Sequence, residues 1–525
     1  MALPIKIKHA GKAYDVQVDT SAPATVFKEQ IYQLTGVPTD KVKVPVKGGM
    51  LKDDADLSKL GFKAGQTVMV IGPAGPLPQA PTKPIIFMED MTDTELAQSA
   101  KYPVGLENLG NTCYMNSTVQ VLRAIPEFQT SLNSTPSTGA QPDAQLTNSL
   151  RDLYNNMSKT TEGFPPFAFL NMLRQFAPQF AERSRQTGQY AQQDAQEAWS
   201  QIVQAAKSSM GGNVNDGGKF VEGWMTGRLQ KKLSSPEAPT EETKVSNENF
   251  LELKCNISGT TNYMMQGLTE GMTQEIEKRS ESLGRDAIYK EETKIDRLPS
   301  YLTVNMVRFY WRRELSKKTK IMRRVKFPFD LDTFDLLSDD LKEKVRPVNE
   351  KLKEIEKERR ERAKTRRKMK NKVNVENASS SSAAPVQENP TDDPPEPMLV
   401  DSAADGELPD ESVKRQEELA TLMSLVHPDL EQDKGANVSG LYDLVGIVTH
   451  KGASADGGHY VGWTASPQVN ADGSPDFDSD PDKQEWYKFD DEKVSLVSKE
   501  KILGLEGGGE DHCAYILLYK QKSLA

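Results

Sequence analysis

Cysteine is nearly absent from this chain: there are three in 525 residues, at positions 113, 255 and 513. Such wide spacing supplies neither a disulfide framework nor a Cys-x-x-Cys zinc signature, and it points to a reducing compartment. Histidine is almost as scarce, with five, so a base for work near neutral pH must come from a short list. Long apolar runs are missing too. None approaches the roughly 20 residues that a membrane span needs. The opening Met-Ala-Leu-Pro-Ile-Lys-Ile-Lys lacks the apolar core of a signal peptide. Basic residues number 66 against 76 acidic ones, for a net charge of −10, which argues against general nucleic-acid binding. The expected setting is cytoplasm and nucleus, with no membrane and no nucleic-acid partner.

Apolar residues make up 36% of the chain, enough to fold, and its length calls for more than one domain. Leu3, Ile5 and Ile7 alternate, as do Tyr14, Val16 and Val18, and a turn at Gly11-Lys12 makes them a hairpin. Thr20 or Ser21 is placed to cap a helix carrying Phe27, Ile31 and Leu34 on one face and stopping at Gly36. Short strands around 42–46 and 67–71 complete a ββαβ unit over residues 1–75. Residues 76–100, with an opening rich in Pro and Ala, read as a linker.

A larger region, 101–522, begins with helical patterns at Thr118–Ile125, Asp143–Tyr154, Pro166–Phe176 and Ala191–Ala206. Strand-like runs follow at Phe250–Ile257, Thr261–Leu268, Tyr301–Phe309 and Val325–Phe329. Residues 340–372 are dense in Lys, Arg and Glu and predict a solvated helix. Residues 373–412, with little apolar content, predict a disordered insertion. Strands return at Leu441–Thr449, Tyr460–Thr464, Trp486–Phe489 and Ala514–Tyr519. The fold class is α+β.

Gly105–Asn116 carries the first chemical signal. Gly and Asn turn residues precede Cys113, and a helical apolar pattern follows it. A thiol at a helix N-terminus meets unpaired N–H groups and the positive end of the helix dipole, which favour the thiolate. His459 follows two glycines and opens an alternating strand, a rigid mount for a base. Asp490 ends the aromatic-rich run from Glu485, and a hairpin across 465–485 brings it beside His459 to fix the imidazole tautomer. Asp491 is its rival; strand alternation lets only one of the two face His459. Asn108, five residues before Cys113, is placed to offer its amide to an oxyanion beside the backbone N–H of Cys113. His450, His512, Cys255 and Cys513 read as structural residues.

Gly105–Asn116 resembles the cysteine box of ubiquitin-specific proteases, and 457–462 with 486–491 resembles their histidine box. Gln-Gln-Asp-Ala-Gln-Glu at 192–197 is similar to the family's glutamine–aspartate motif. Residues 1–75 resemble ubiquitin without its terminal Gly-Gly, and 46–54 looks like the ubiquitin-like domain that precedes one branch of the family. Phe87–Thr92 and Gly507–His512 add to the likeness to that proteasome-associated branch.

The resemblance implies an N-terminal β-grasp ubiquitin-like domain, then a papain-like thumb and palm with β fingers. It implies a cysteine-type deubiquitinase cleaving after the C-terminal glycine of ubiquitin. Carried over by motif, Cys113 is nucleophile, His459 base, Asp490 orienter and Asn108 oxyanion donor. Gln192 and Asp194 contact the substrate tail, and Gly458 and Tyr460 line its channel. The implied partners are ubiquitin, ubiquitinated proteins and the proteasome regulatory particle, docked through 1–75. No cofactor is implied. Many relatives bind zinc in the fingers through two Cys-x-x-Cys pairs; Cys255 stands alone there, so no metal is expected. Loops at Trp311–Arg313 and Ala453–Gly458 fall where that branch blocks its channel until a partner moves them. Two rivals stay open: a ubiquitin-binding proteasome regulator that does no chemistry, and a protease for another ubiquitin-like modifier. Intact Cys113, His459 and Asp490 weigh against the first.

Overall fold

The structure is a computed structural model describing residues 2–47, 49–73, 103–134, 141–184, 187–211, 219–312, 317–380, 410–453, 457–470, 473–509 and 511–525. The expected linker, 76–100, lies outside the described residues, as does Phe87–Thr92. The chain divides into two compact units, Met1–Met91 and Thr92–Ala525.

In the first unit, β1 (Ala2–His9) and β2 (Lys12–Asp19) pair antiparallel. The turn is Ala10-Gly11, one residue earlier than expected; both sit at positive φ, 48° and 83°, which matches the right-handed strand twist. Helix α1 (Ala24–Thr35) ends on Gly36 in the left-handed region, whose N–H reaches the Tyr32 carbonyl at 2.8 Å. Its start differs from expectation. Ser21 is spent on Asp19, and Pro23, with φ already helical, precedes the first turn instead. Phe27 and Ile31 are buried, whereas Leu34 is exposed; the buried face continues at the four-residue spacing, through Thr35. β3 (Pro45–Val46) pairs β4 (Gly49–Met50), and β5 (Thr67–Met69) runs parallel to β1, giving the order β2-β1-β5. Ile5, Ile7, Val18, Phe27 and Ile31 are buried between sheet and helix; each contributes about 1.5–3 kcal/mol.

Among the described residues the second unit opens with helices α2 (Cys113–Arg123), α3 (Pro126–Ser134), α4 (Pro142–Met157), α5 (Phe167–Phe176) and α6 (Ala195–Ser209). Then come β6 (Gly227–Ser234), β7 (Lys244–Phe250), β8 (Leu253–Asn256), α7 (Met264–Gly271), β9 (Thr273–Arg279), β10 (Asp286–Arg297) and β11 (Tyr301–Val307). Strands β7-β6-β10-β9 form a four-stranded sheet in that order. The run 261–268, expected as a strand, is where α7 begins. Met264 and Leu268 are four apart and both buried, and Gly267 lets the helix press on β8, where a Cβ would stand 2.6 Å from the Asn256 carbonyl oxygen. Val325 and Phe327 point inward as a strand would, but only the Tyr263–Lys326 bridge forms there.

The hairpin of β12 (Phe309–Arg312) and β13 (Lys317–Lys320) precedes β14 (Asp330–Asp332) and a long helix, α8 (Asp339–Ser380). α8 runs into the segment expected to be disordered, and α9 (Glu411–Leu425) begins inside its far end with Asp410 as cap; 381–409 lie outside the described residues. The basic run is not simply solvated. Arg359, Arg362 and Arg366, three and four apart, turn one face inward onto Glu418, Glu411 and Asp478 at 2.5–3.0 Å.

β15 (Leu441–Lys451), β16 (His459–Ala465), β17 (Glu485–Asp490), β18 (Lys493–Ser498) and β19 (Cys513–Gln521) complete the main sheet, ordered β18-β17-β16-β15-β19-β11-β8 with β14 against β15. One core lies between this sheet and helices α2–α6, and a second fills the opposite face. Helix α2 and strand β16 approach closely at Gly462, where a Cβ would lie 3.0 Å from the Ser117 carbonyl oxygen. That contact brings the start of α2 to the start of β16.

Candidate active site

The loop before α2 is shaped by its small residues. Leu106 N–H donates to the Asp491 carbonyl at 3.0 Å, so this strand crosses the turn after β17 at backbone distance. Only glycine fits at 105: a Cβ would stand 2.3 Å from the Glu492 carbonyl oxygen. Gly110 and Asn111 both take positive φ, 96° and 54°, and reverse the chain into the helix. Asn108 Oδ1 holds that reversal by accepting from Gly110 N at 3.0 Å and Thr112 N at 3.3 Å. No side chain caps α2, so its positive end is left to act on Cys113, the first helical residue.

Cys113 is buried, 2% exposed. Its Sγ accepts from Gln192 Nε2 at 3.3 Å and from the backbone N–H of Tyr460 at 3.5 Å. His459 Nε2 donates to Asp490 Oδ1 at 2.7 Å. Nε2 being engaged, contact with the thiol falls to Nδ1. The Asp490 carboxylate and, next, the Cys113 thiol push the imidazole up to about 10, against the opposing effect of burial. Asp490 is held well below the ordinary carboxylate range by His459 and Lys488, again against burial. The structure thus brings Cys113, His459 and Asp490 together in the order thiol, imidazole, carboxylate.

Asp491 does not compete for His459. It lies past the strand end at φ 55°, and it is this left-handed turn that separates it from Asp490. Its carboxylate accepts from Asn108 Nδ2 and Asn116 Nδ2, both at 2.8 Å. Burial raises its pKa and the two amides oppose that rise. One hydrogen of the Asn108 amide is therefore committed to Asp491, and the amide carries a second. Sequence reasoning weighed Asp491 only as a rival and missed Asn116 and Lys488. The i,i+2 spacing of Lys488 and Asp490 was the available signal, since it puts both on one strand face.

The remaining expected residues sit nearby in differing ways. Gln192 lies in the extended stretch before α6, because Asp194 caps that helix at Gln196 N (2.8 Å) and so starts it later than Ala191. Asp194 also accepts from Tyr515 OH at 2.8 and 3.0 Å. Gly458 is at φ 127°, where a Cβ would stand 2.2 Å from the Lys451 carbonyl oxygen. Tyr460 has a buried ring set edge-on to His450, so what it offers the thiol is its backbone. Of the two expected channel loops, Arg313 and 454–456 lie outside the described residues. Among the described residues, no group of His, Cys, Asp and Glu is arranged to hold a metal.

Two family profiles match the chain. Ubiquitin carboxyl-terminal hydrolase covers residues 104–519, and the ubiquitin family covers 5–73. Ubiquitin carboxyl-terminal hydrolase 6 of Schizosaccharomyces pombe is 41% identical over 100% of both chains. The protein of the same name from Arabidopsis thaliana is 36% identical over 99% of this chain and 98% of its own. Ubiquitin carboxyl-terminal hydrolase 14 of Caenorhabditis elegans is 33% identical over 99% of this chain and 93% of its own.

Proposed function

The chain belongs to the ubiquitin carboxyl-terminal hydrolase family, and from that premise we propose how its residues divide the work of a cysteine-type deubiquitinase. His459 Nδ1 takes the proton of Cys113. The thiolate attacks the carbonyl carbon of ubiquitin's terminal glycine, and the oxyanion is held by the free hydrogen of the Asn108 amide and the backbone N–H of Cys113. Collapse of the intermediate expels the lysine amine, which takes the proton from His459. Water then adds to the thioester, gives a proton to His459 and releases the ubiquitin carboxylate as the thiol is restored. The observation that carries this reading is the orientation of His459. Asp490 fixes Nε2 at 2.7 Å, which leaves Nδ1 for the sulfur at the uncapped start of α2.

Reaction with ubiquitin bearing a C-terminal electrophile tests it. The adduct is expected on Cys113 and lost in Cys113→Ala; absence of labelling both with and without added proteasome would sink the assignment.

Residues 1–75 serve as the dock to the proteasome regulatory particle. Supporting this, the end of the ubiquitin-like unit is tied down: Lys43 bridges Ile71, and His9 Nε2 donates to the Gly72 carbonyl at 2.9 Å. Exposed Met50, Met69 and Ile71 offer apolar contact. A chain lacking 1–73 should no longer co-sediment with proteasomes, and undiminished co-sedimentation would refute the docking role. Access to Cys113 is gated by the β12–β13 hairpin and the 452–458 loop. Lys320 Nζ, buried, ties the two by donating to the His450 and Gly452 carbonyls at 2.7 and 3.0 Å. Equal hydrolysis of a fluorogenic ubiquitin substrate with and without proteasome would rule gating out.

A further inference from the structure

Behind the imidazole–carboxylate pair stands a third charged group that the reaction as described does not use. Lys488 Nζ donates to Asp490 Oδ2 at 2.6 Å, while Asp490 Oδ1 accepts from His459 at 2.7 Å. The carboxylate is bridged on both oxygens, each by a different cation-forming group. The sheet register produces this. Lys488 and Asp490 are two apart on β17, and Trp463 lies directly across from Lys488 on β16, four residues from His459. All four therefore share one face of the sheet. Trp463 is fully buried, and Lys488 Nζ lies 5.8 Å over its ring, which restrains the ammonium through a cation–π contact. The Lys488 side chain is itself only 26% exposed, so its charge is incompletely screened by water.

We propose that Lys488 is a positioning residue for the hydrolysis: it clamps the outer oxygen of Asp490 so that the inner one addresses His459, and its charge shares the carboxylate so that the imidazolium stays a usable acid. The proposal rests on the assignment of Cys113, His459 and Asp490 to the reaction. Without Lys488, Asp490 would swing about its Cα–Cβ bond, and its whole negative charge would bear on His459. The imidazolium would then be stabilised and would give up its proton to the leaving amine less readily. The other titratable groups facing His459 come from every neighbouring element. They are Cys113 from α2, Asp491 from the turn after β17, Lys451 directly across from it on β15, and His512 from the lead into β19, whose ring centroid is 6.5 Å away; His450, opposite Tyr460 on the other face of β15, is coupled to it only through space. None of these changes when Lys488 is replaced, so a shift can be ascribed to it.

The test is the pH profile of kcat/KM for a fluorogenic ubiquitin amide, measured on the full chain as wild type, Lys488→Met and Lys488→Arg. The alkaline limb, which reports loss of the imidazolium proton, should move up by about 0.5–1 pH unit in Lys488→Met. In that variant kcat should fall by about tenfold with KM little changed, and Lys488→Arg should restore both. An unmoved limb in Lys488→Met, or an Arg variant no better than Met, overturns the proposal even if kcat falls, since loosened packing alone would not track the charge. Thermal melts of the three proteins separate folding loss from this effect. If wild type hydrolyses the substrate and Cys113→Ala does so equally, the underlying assignment fails instead, which is a distinguishable result.

Discussion

Asn108 and Asp491 are 383 positions apart in the chain and meet in one hydrogen bond, Nδ2 to Oδ2 at 2.8 Å. Through it the turn after the strand bearing Asp490 fixes the amide that precedes Cys113. Asn116, on α2, grips the other oxygen of the same carboxylate at 2.8 Å. Asp491 is thus the joint between the two halves of the site.

Asp491→Ala is expected to remove the restraint on Asn108 Nδ2, leaving the amide held only through Oδ1 by Gly110 N and Thr112 N, and so to weaken oxyanion binding. Loss of one oriented donor lowers kcat by about 10²–10³-fold, with KM for ubiquitin substrates nearly constant because the contact matters only in the transition state. Steady-state kinetics on a fluorogenic ubiquitin amide checks this; a raised KM at unchanged kcat would assign Asp491 to substrate binding instead.

Gly105→Ala tests the backbone crossing that brings these parts together. The new methyl would sit 2.3 Å from the Glu492 carbonyl oxygen and 2.5 Å from its carbon. Backbone cannot yield as a side-chain tip can, so about 3 kcal/mol or more of stability should be lost. Gly110→Ala, at φ 96° in open space, should cost only about 1 kcal/mol. Urea melts of both variants rank them, and equal losses would mean that the crossing is not tight.

Most of the site was legible because the chemistry constrains residue type. A thiol after a Gly-Asn turn, a histidine opening a strand and an aspartate closing one can be read from sequence, and Cys113, His459 and Asp490 do converge. Asp491 was harder. Strand alternation assigned it to the opposite face, but its left-handed φ takes it out of the strand altogether. Arg359, Arg362 and Arg366 looked solvated because their acidic partners lie 45 to 112 positions away. Period alone could not separate helix from strand at 261–268, where an apolar run is short and the deciding contact, Gly267 on the Asn256 carbonyl of β8, is made in three dimensions.

The fingers offer a test of metal independence. Beside the β9–β10 hairpin, Glu241 gathers Ser280 Oγ at 2.6 Å, Ser282 N at 3.0 Å, Ser282 Oγ at 2.8 Å and Tyr289 OH at 2.5 Å. Those donors, Ser280 foremost, hold the carboxyl down at about 2. Chelators such as EDTA should leave the melting temperature and activity unchanged. Glu241→Ala should raise hydrogen exchange in the 279–289 hairpin by at least tenfold, with little effect on the thermal midpoint, since the knot is at the surface. A chelator-sensitive melt would reveal a bound metal and refute the first expectation.

His450 makes stability fall on the acid side. The ring is fully buried at 0% exposure, edge-on to Phe309 and Tyr460, and neither nitrogen makes a hydrogen bond of normal geometry. Burial first, and then Lys320, push its pKa down to about 3, with a partial offset from the Gly457 backbone. His512 moves the same way, to about 4, for the same primary reason. Below the unfolded value of about 6.5, the unfolded chain takes up a proton that the native ring refuses. The stability due to a neutral His450 is therefore complete above pH 6.5 and is lost as pH falls toward 3, at up to about 1.4 kcal/mol per pH unit. His450→Phe keeps a flat ring in the slot and removes the titration. Between pH 7 and pH 5 the wild type should lose about 2 kcal/mol more than the variant. Urea melts at the two pH values measure that difference directly, and identical pH dependence in the two proteins would show that His450 is protonated in the native state.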